Sequence, residues 1–249
     1  MRPTCLLKTF CRITDPESTK QPWQNRSQSR RRRNEIFESC REKTVMKKPF
    51  LFDFDGVVVD SLDLYEDAVN RCLIEIGKTP FRDREDFLDI FEDNFYEGIH
   101  DKGVDVAAFM KASAALAPTL DYDRVKPIRE MEPVLEKLKE QHTLAIVSSN
   151  SNYAIRRILS KYHYDRYFED ILGHEFTLSK IEKIGRASVL LKAGLNETFY
   201  VGDTVGDIKE AKKAGVRTVA VTWGWHTGER LQLANPDFLV DKPEELLKL

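Results

Sequence analysis

Apolar residues along the chain fall into two alternating patterns. Pro49 to Phe54, Thr143 to Val147, Thr198 to Val201 and Thr218 to Thr222 are short runs, each too short for a helix, and they read as fully buried strands. Between them lie helical periods. Ile155, Ile158, Leu159 and Tyr162 mark one face; Ile181, Ile184, Ser188 and Leu191 mark another, with Gly194 as its C-terminal stop. Strands alternating with helices predict an α/β fold with a doubly wound parallel sheet, and such a sheet places its site at the carboxyl ends of the strands.

One stretch breaks the alternation. From Leu62 to about Lys126 there are helical periods and no convincing strand. Leu62, Tyr65, Val69, Cys72, Leu73 and Ile76 form a stripe stopped by Gly77 and Pro80. Phe87, Leu88, Phe91, Phe95 and Ile99 predict a second helix, and Val106 to Leu116 a third. Because this segment leaves from the end of the first strand, it is expected to form a helical cap over residues 62–126, inserted between core segments 46–61 and 127–249. The alternative is that these helices pack on the sheet as extra layers.

Length and charge refine this picture. A chain of 249 residues holds one or two domains. Apolar runs such as Val57 to Val59 and Leu144 to Val147 are far short of the roughly 20 residues that span a bilayer. The four cysteines have neither the density of a disulfide scaffold nor the spacing of a zinc site, which points to a reducing, cytoplasmic setting. The net charge of −2 hides an asymmetry: residues 1–45 hold eleven Lys or Arg, including Arg30 to Arg33, against five acids, so the remainder carries −8. This basic segment has no periodic apolar face and is expected to be disordered. Its five acids argue against an organelle address, and its lack of interleaved aromatics argues against nucleic-acid binding. A leader upstream of Met46 is the preferred reading.

The chemistry starts at Asp53-Phe-Asp-Gly56. Two carboxylates two residues apart leave a strand on the same side, and Gly56 allows a tight turn that brings its amide near a ligand. Like charges this close need a cation between them, and a hard divalent ion with oxygen ligands, Mg²⁺ first, is the natural partner. A second acidic cluster, Gly202-Asp-Thr-Val-Gly-Asp207, follows another apolar strand and opens a helix; its carboxylates at 203 and 207 share a face there and can reach the same ion. Ser148 closes a third strand, with Ser149 and Asn150 beside it, an arrangement suited to phosphate oxygens or equally to a helix cap. Lys180, with Lys183 as competitor, could neutralise phosphate charge. The five histidines are dispersed, and none is assigned a catalytic role; His226 and Trp223-Gly-Trp225 are expected in a loop packed on the core.

In this order, Asp53-Phe-Asp-Gly-Val-Val-Val-Asp60-Ser61, Val-Ser148, Lys180 and Gly-Asp203-Thr-Val-Gly-Asp207 resemble the four motifs of the haloacid dehalogenase superfamily. The match is to its Mg²⁺-dependent phosphatases with a Rossmann-like core and a helical cap, and it covers residues 46–249. The tail, Ala214 to His226 followed by Asn235-Pro-Asp-Phe and Pro243-Glu-Glu-Leu, is similar to the phosphoglycolate phosphatase group. The third motif departs from that group's Lys-Pro pair, reading Ser-Lys180-Ile-Glu-Lys183. Lys180 is preferred because it lies 23 residues before Asp203, as in the superfamily's phosphoserine phosphatases.

The resemblance implies specific roles. Asp53 would attack phosphorus, and Asp55 would protonate the leaving alkoxide and then activate water. Mg²⁺ would be held by Asp53, the backbone carbonyl of Asp55 and Asp203, with Asp207 outside them. Lys180, Ser148 and the amides near Gly56 and Ser149 would stabilise phosphate oxygens, and Asn150 would help bind substrate. The substrate would be a small phosphorylated metabolite. A dehalogenase needs neither Asp55 nor a cluster of metal ligands, and a phosphosugar mutase would favour basic residues where Asn150-Ser-Asn and an acidic segment from Leu62 to Asp123 stand. A non-catalytic scaffold with an RNA-binding leader is the reading of another class. The phosphatase reading requires the side chains of Asp53 and Asp203 to meet.

Overall fold

The computed structural model describes residues 47–249; the basic leader lies outside the described residues. Six strands form one parallel sheet: β1 (Lys48–Phe52), β4 (His142–Val147), β5 (Asp170–Leu172), β6 (Phe199–Gly202), β7 (Arg217–Val221) and β8 (Phe238–Val240). Their spatial order is β5-β4-β1-β6-β7-β8. The order reverses around β1, so the chain ends of β4, β1 and β6 lie side by side at the switch point where ligands collect in open sheets. These are the strands followed by Ser148, Asp53 and Asp203.

Alternating side chains bury both faces of the sheet. Phe50 and Phe52 join Leu144, Ile146, Phe199 and Val201 on one side, and the rings of Phe50 and Phe199 stack at 4.6 Å. Leu51 joins Ala145, Val147 and Tyr200 on the other. This two-sided burial explains why the strands read as continuous apolar runs. Helices α5 (Met131–Gln141), α6 (Asn152–Tyr162), α7 (Lys180–Leu190), α8 (Val205–Ala214) and α9 (Gly228–Leu233) connect or follow the strands.

A two-stranded antiparallel ribbon was not anticipated by the periodicity. β2 (Val59–Asp60) pairs with β3 (Lys126–Pro127), Val59 opposite Pro127 and Asp60 opposite Lys126. Two residues per strand carry no readable alternation. The ribbon ties together the points where the chain leaves for, and returns from, a run of helices: α1 (Leu62–Glu75), α2 (Arg84–Leu88), α3 (Phe95–Asp101) and α4 (Val106–Leu116). These helices share their own apolar cluster, which includes Val69, Leu73, Phe87, Phe91, Ile99 and Phe109. Among the described residues no helix is long and apolar enough to cross a membrane.

Two helical expectations need correction. The single helix read from Phe87 to Ile99 is three pieces: α2, a 3₁₀ turn (Asp89–Glu92) and α3. Asp93 is extended, and Asn94 restarts the helix by accepting from the amide of Tyr96. Gly98 permits the fold-back, because a Cβ there would lie 2.3 Å from the carbonyl oxygen of Ile90. On α7 the buried face is Lys180, Lys183, Ile184, Ala187 and Ser188, rotated from the apolar stripe, because the first turn points two lysines into the interior. That helix stops at Leu190, with Lys192 in the left-handed region, and Gly194 instead begins a following 3₁₀ turn.

Candidate active site

Each functional side chain is set by the end of a strand. The amide of Asp53 continues the ladder beyond β1 by donating to the carbonyl of Val201 at 2.8 Å. The Asp53 carboxylate accepts from the amide of Phe54 (2.8 Å) and from Lys180 Nζ (2.9 Å). Asp55 points the same way; its two oxygens accept from Ser61 Oγ (2.7 Å) and Asn150 Nδ2 (3.0 Å). Between them and β2 the chain turns at Gly56, with φ of 75°. A Cβ at Gly56 would sit 2.0 Å from Asp203 Oδ2, and one at Gly224 would sit 2.4 Å from the same atom. Both glycines therefore make room for the carboxylate that arrives from β6.

Asp203, fully buried, accepts from the amide of Trp225 at 2.7 Å through Oδ2, while Oδ1 has no partner. Asp207 belongs to a capping box at the start of α8, exchanging hydrogen bonds with Thr204. It also accepts from Tyr200 Oη (3.1 Å) and from Lys180 Nζ. Carboxylate oxygens of Asp53, Asp203 and Asp207 lie within 4.8 Å of one another. Side chains 150 residues apart in sequence thus converge as the sequence reading required.

A family model for haloacid dehalogenase-like hydrolases matches residues 50–221 of this sequence. The chain belongs to that family. A phosphoglycolate phosphatase of Vibrio parahaemolyticus is 32% identical over 227 residues, covering 81% of this chain and 95% of the relative. The pyrophosphatase PpaX of Listeria welshimeri is 27% identical over 206 residues, covering 80% and 94%. The crystal structure of a predicted phosphatase from Clostridium acetobutylicum superposes with a TM-score of 0.71 at 20% identity, covering 82% of this chain and all 100% of that one, and shows the shared fold.

The electrostatics of this haloacid dehalogenase-like hydrolase bear on what its site can hold. Burial, opposed by Lys180 and reinforced by Asp207 and Asp55, pushes the Asp53 carboxyl up to about 7. Burial likewise raises Asp55. Asp203 is raised well above the ordinary range by burial and by the neighbouring Asp207 and Asp53. Burial acts the same way on Asp207, but Lys180 and the hydrogen bonds from Lys180, Thr204 and Tyr200 outweigh it and hold the group down. Burial would lower Lys180, yet Asp207 and Asp53 outweigh it and keep it protonated. One ammonium thus serves three clustered carboxylates. The unpartnered Asp203 Oδ1 and the hard oxygen donors around it suit a divalent cation. Asp203 is the one with a free oxygen to offer it, since both oxygens of Asp53 and of Asp207 already accept protein donors.

The second-motif residues divide. Ser148 is buried beside the cleft, its hydroxyl accepting from the amide of Asn150 at 3.2 Å. Ser149 lines the cleft, and its carbonyl accepts from Tyr96 Oη at 2.8 Å. Asn150, expected at the substrate, directs its side chain to Asp55. Of the two lysines, only Lys180 reaches the carboxylates; Lys183 donates to the carbonyl of Ser148 at 2.5 Å, and burial next to Lys180 lowers it to about 8.

Periodicity and motif spacing missed several participants. Glu210, one turn past Asp207, accepts from the amide of Lys180 (2.9 Å) and from Asn94 Nδ2 (3.0 Å), joining the lysine's helix to the 62–125 helices. Its i+3 spacing from Asp207 was the available signal. The Trp223-to-His226 loop does pack on the core, but it also lines the cleft with Trp225 and holds Asp203 through a main-chain amide, which no side-chain pattern encodes.

Proposed function

We propose that this hydrolase is a Mg²⁺-dependent phosphatase that cleaves a small phosphate monoester through an aspartyl-phosphate on Asp53. The observation that carries the reading is the meeting of Asp53, Lys180 and the unpartnered oxygen of Asp203 at adjacent strand ends. An Asp53 oxygen attacks phosphorus as the ester P–O bond breaks, and Asp55 delivers its proton to the departing alkoxide. Asp55 then takes a proton from water, which attacks the aspartyl phosphate, releases inorganic phosphate and restores Asp53. Ser61 and Asn150 orient Asp55, and its raised pKa supports the acid role. Lys180, Ser148 and the amides near Gly56 and Ser149 receive the phosphate oxygens. Mg²⁺, held by Asp53, the main-chain carbonyl of Asp55 and Asp203, supplies the positive charge that lets a carboxylate approach a phosphate dianion.

In this reading the helices of residues 62–126 form a cap over the cleft, and the substrate is a small phosphorylated metabolite. The relatives' names offer phosphoglycolate and pyrophosphate, and the shape and charge of the site decide whether either fits. The buried free thiol of Cys72 fits a cytoplasmic enzyme. The test is release of phosphate from p-nitrophenyl phosphate. Wild-type protein should turn over with Mg²⁺ and stop on chelation, and Asp53→Asn should be folded and inactive; undiminished turnover of that variant would exclude the nucleophile.

A further inference from the structure

A second cavity adjoins the cleft around Asp53 on the Asp55 side. The two share Asp55, Tyr65, Phe95 and Ser149 as common walls. The cleft itself has room for little more than a phosphoryl group, about 30 Å³, whereas the adjoining cavity measures about 70 Å³. One water needs roughly 10–15 Å³ on that measure, so the cavity admits a group of on the order of five non-hydrogen atoms. With phosphorus at Asp53 and the ester oxygen at Asp55, the rest of the substrate extends into this cavity.

Its chemistry is one-sided. Apart from the shared residues, the wall combines apolar side chains such as Leu64, Val69, Phe109 and Met110 with neutral polar groups such as Ser61, Tyr96, Asn150 and Ser151. Among the described residues that line it there is no lysine or arginine. The imidazole of His174 also lines it, and burial holds that ring below its ordinary range, on the neutral side. The carboxyl that faces the cavity, Asp55, carries the proton it gives to the leaving group and so offers an acid no positive charge. A carboxylate or second phosphate placed here would lose its hydration, meet no cation and stand beside another carboxyl.

We propose that the leaving group of the natural substrate is a small, uncharged alcohol, so that esters with anionic leaving groups, phosphoglycolate and pyrophosphate among them, are poor substrates. This rests on the phosphatase reading and adds the substrate class to it. The test uses the full chain with Mg²⁺ and two esters of equal shape, 3-methylbutyl phosphate and 2-carboxyethyl phosphate, which differ by an isopropyl group against a carboxylate. The neutral ester should be favoured at least tenfold in kcat/KM. Ser113→Lys, which puts an ammonium into the cavity wall, should shift that ratio about tenfold toward the carboxylate ester. Equal or faster wild-type turnover of the carboxylate ester would overturn the inference. So would hydrolysis of phosphoglycolate with neither of the pair accepted. Absence of turnover on every monoester, p-nitrophenyl phosphate included, would instead overturn the phosphatase reading.

Discussion

The cleft at Asp53 and the cavity beside it are joined by shared walls and built on opposite physics. In the cleft, buried charges are held by specific polar partners, Lys180 on Asp53 and Asp207, the Trp225 amide on Asp203, Ser61 and Asn150 on Asp55, with Asp203 Oδ1 left over. In the cavity, contacts are ring on ring. Phe95 packs with Tyr65, Tyr96 and Phe109 at centroid distances of 5.0 to 5.9 Å. A buried charge needs a partner at a definite distance, whereas an apolar wall needs only volume and shape. The cleft can therefore serve one kind of chemistry, and the cavity is where specificity can vary without disturbing it.

If that division holds, breaking each region should produce a different deficit. Phe109 is buried in the cavity wall, so Phe109→Ala should cost about 3–5 kcal/mol of stability. Urea unfolding should report that loss, while kcat of the folded fraction stays within a few-fold of wild type. Unchanged stability with collapsed kcat would mean that the two regions are not separable. Lys180→Met should do the reverse, lowering kcat by roughly 10²- to 10³-fold, the scale of losing one donor to a developing charge. Lys183→Met sharpens the contrast. Its ammonium serves only the carbonyl of Ser148, so kcat should fall far less than in Lys180→Met. Equal losses in the two lysine variants would remove the distinction drawn between them.

Gly56→Ala tests how closely the cleft is fitted. The left-handed conformation there costs a non-glycine residue roughly 1–2 kcal/mol. The added methyl would also displace Asp203, and a shift of about 1 Å at a catalytic group can cost on the order of 10²-fold in rate. Activity should drop by about that factor while the far-ultraviolet dichroism is preserved. Wild-type activity would show that Asp203 tolerates displacement.

The same contrast explains what could be read in advance. Asp53, Asp55, Ser148, Lys180 and Asp203 stand at strand or helix ends, where a polar residue interrupts an apolar run, and their chemistry is scarce enough for spacing to single them out. The parallel sheet was legible for a related reason, since strands buried on both faces leave continuous apolar runs. The choice of Lys180 over Lys183 depended on spacing alone, because both lysines are buried on one face of α7. The cavity wall was not legible. Tyr65, Phe95 and Phe109 have the same helical spacing as residues that merely pack, and nothing in the period says which side faces a void. Main-chain donors such as the Trp225 amide, and ribbon strands of two residues, leave no trace in side-chain pattern.

The smallest expected effect concerns the contact between the two regions at His226. Its Nδ1 accepts from the amide of Val205 at 3.1 Å, so Nε2 carries the proton and donates to the carbonyl of Leu88, also at 3.1 Å. That arrangement clips the 62–125 helices to the start of α8 and exists only for the neutral ring. Burial, aided by Arg230, lowers the pKa below its ordinary value of 6.5. The unfolded chain therefore takes up the proton first as pH falls. The stability that His226 contributes is complete above its unfolded pKa and declines as pH drops through about 6.5 toward the folded value. Thermal unfolding from pH 7.5 to 5 should show Tm falling more steeply for wild type than for His226→Gln, which has one acceptor and one donor but does not titrate. Parallel Tm profiles would show that the clip does not depend on the charge state of this ring, and the joint between the cleft and those helices would then rest on Asn94, Glu210 and Arg230.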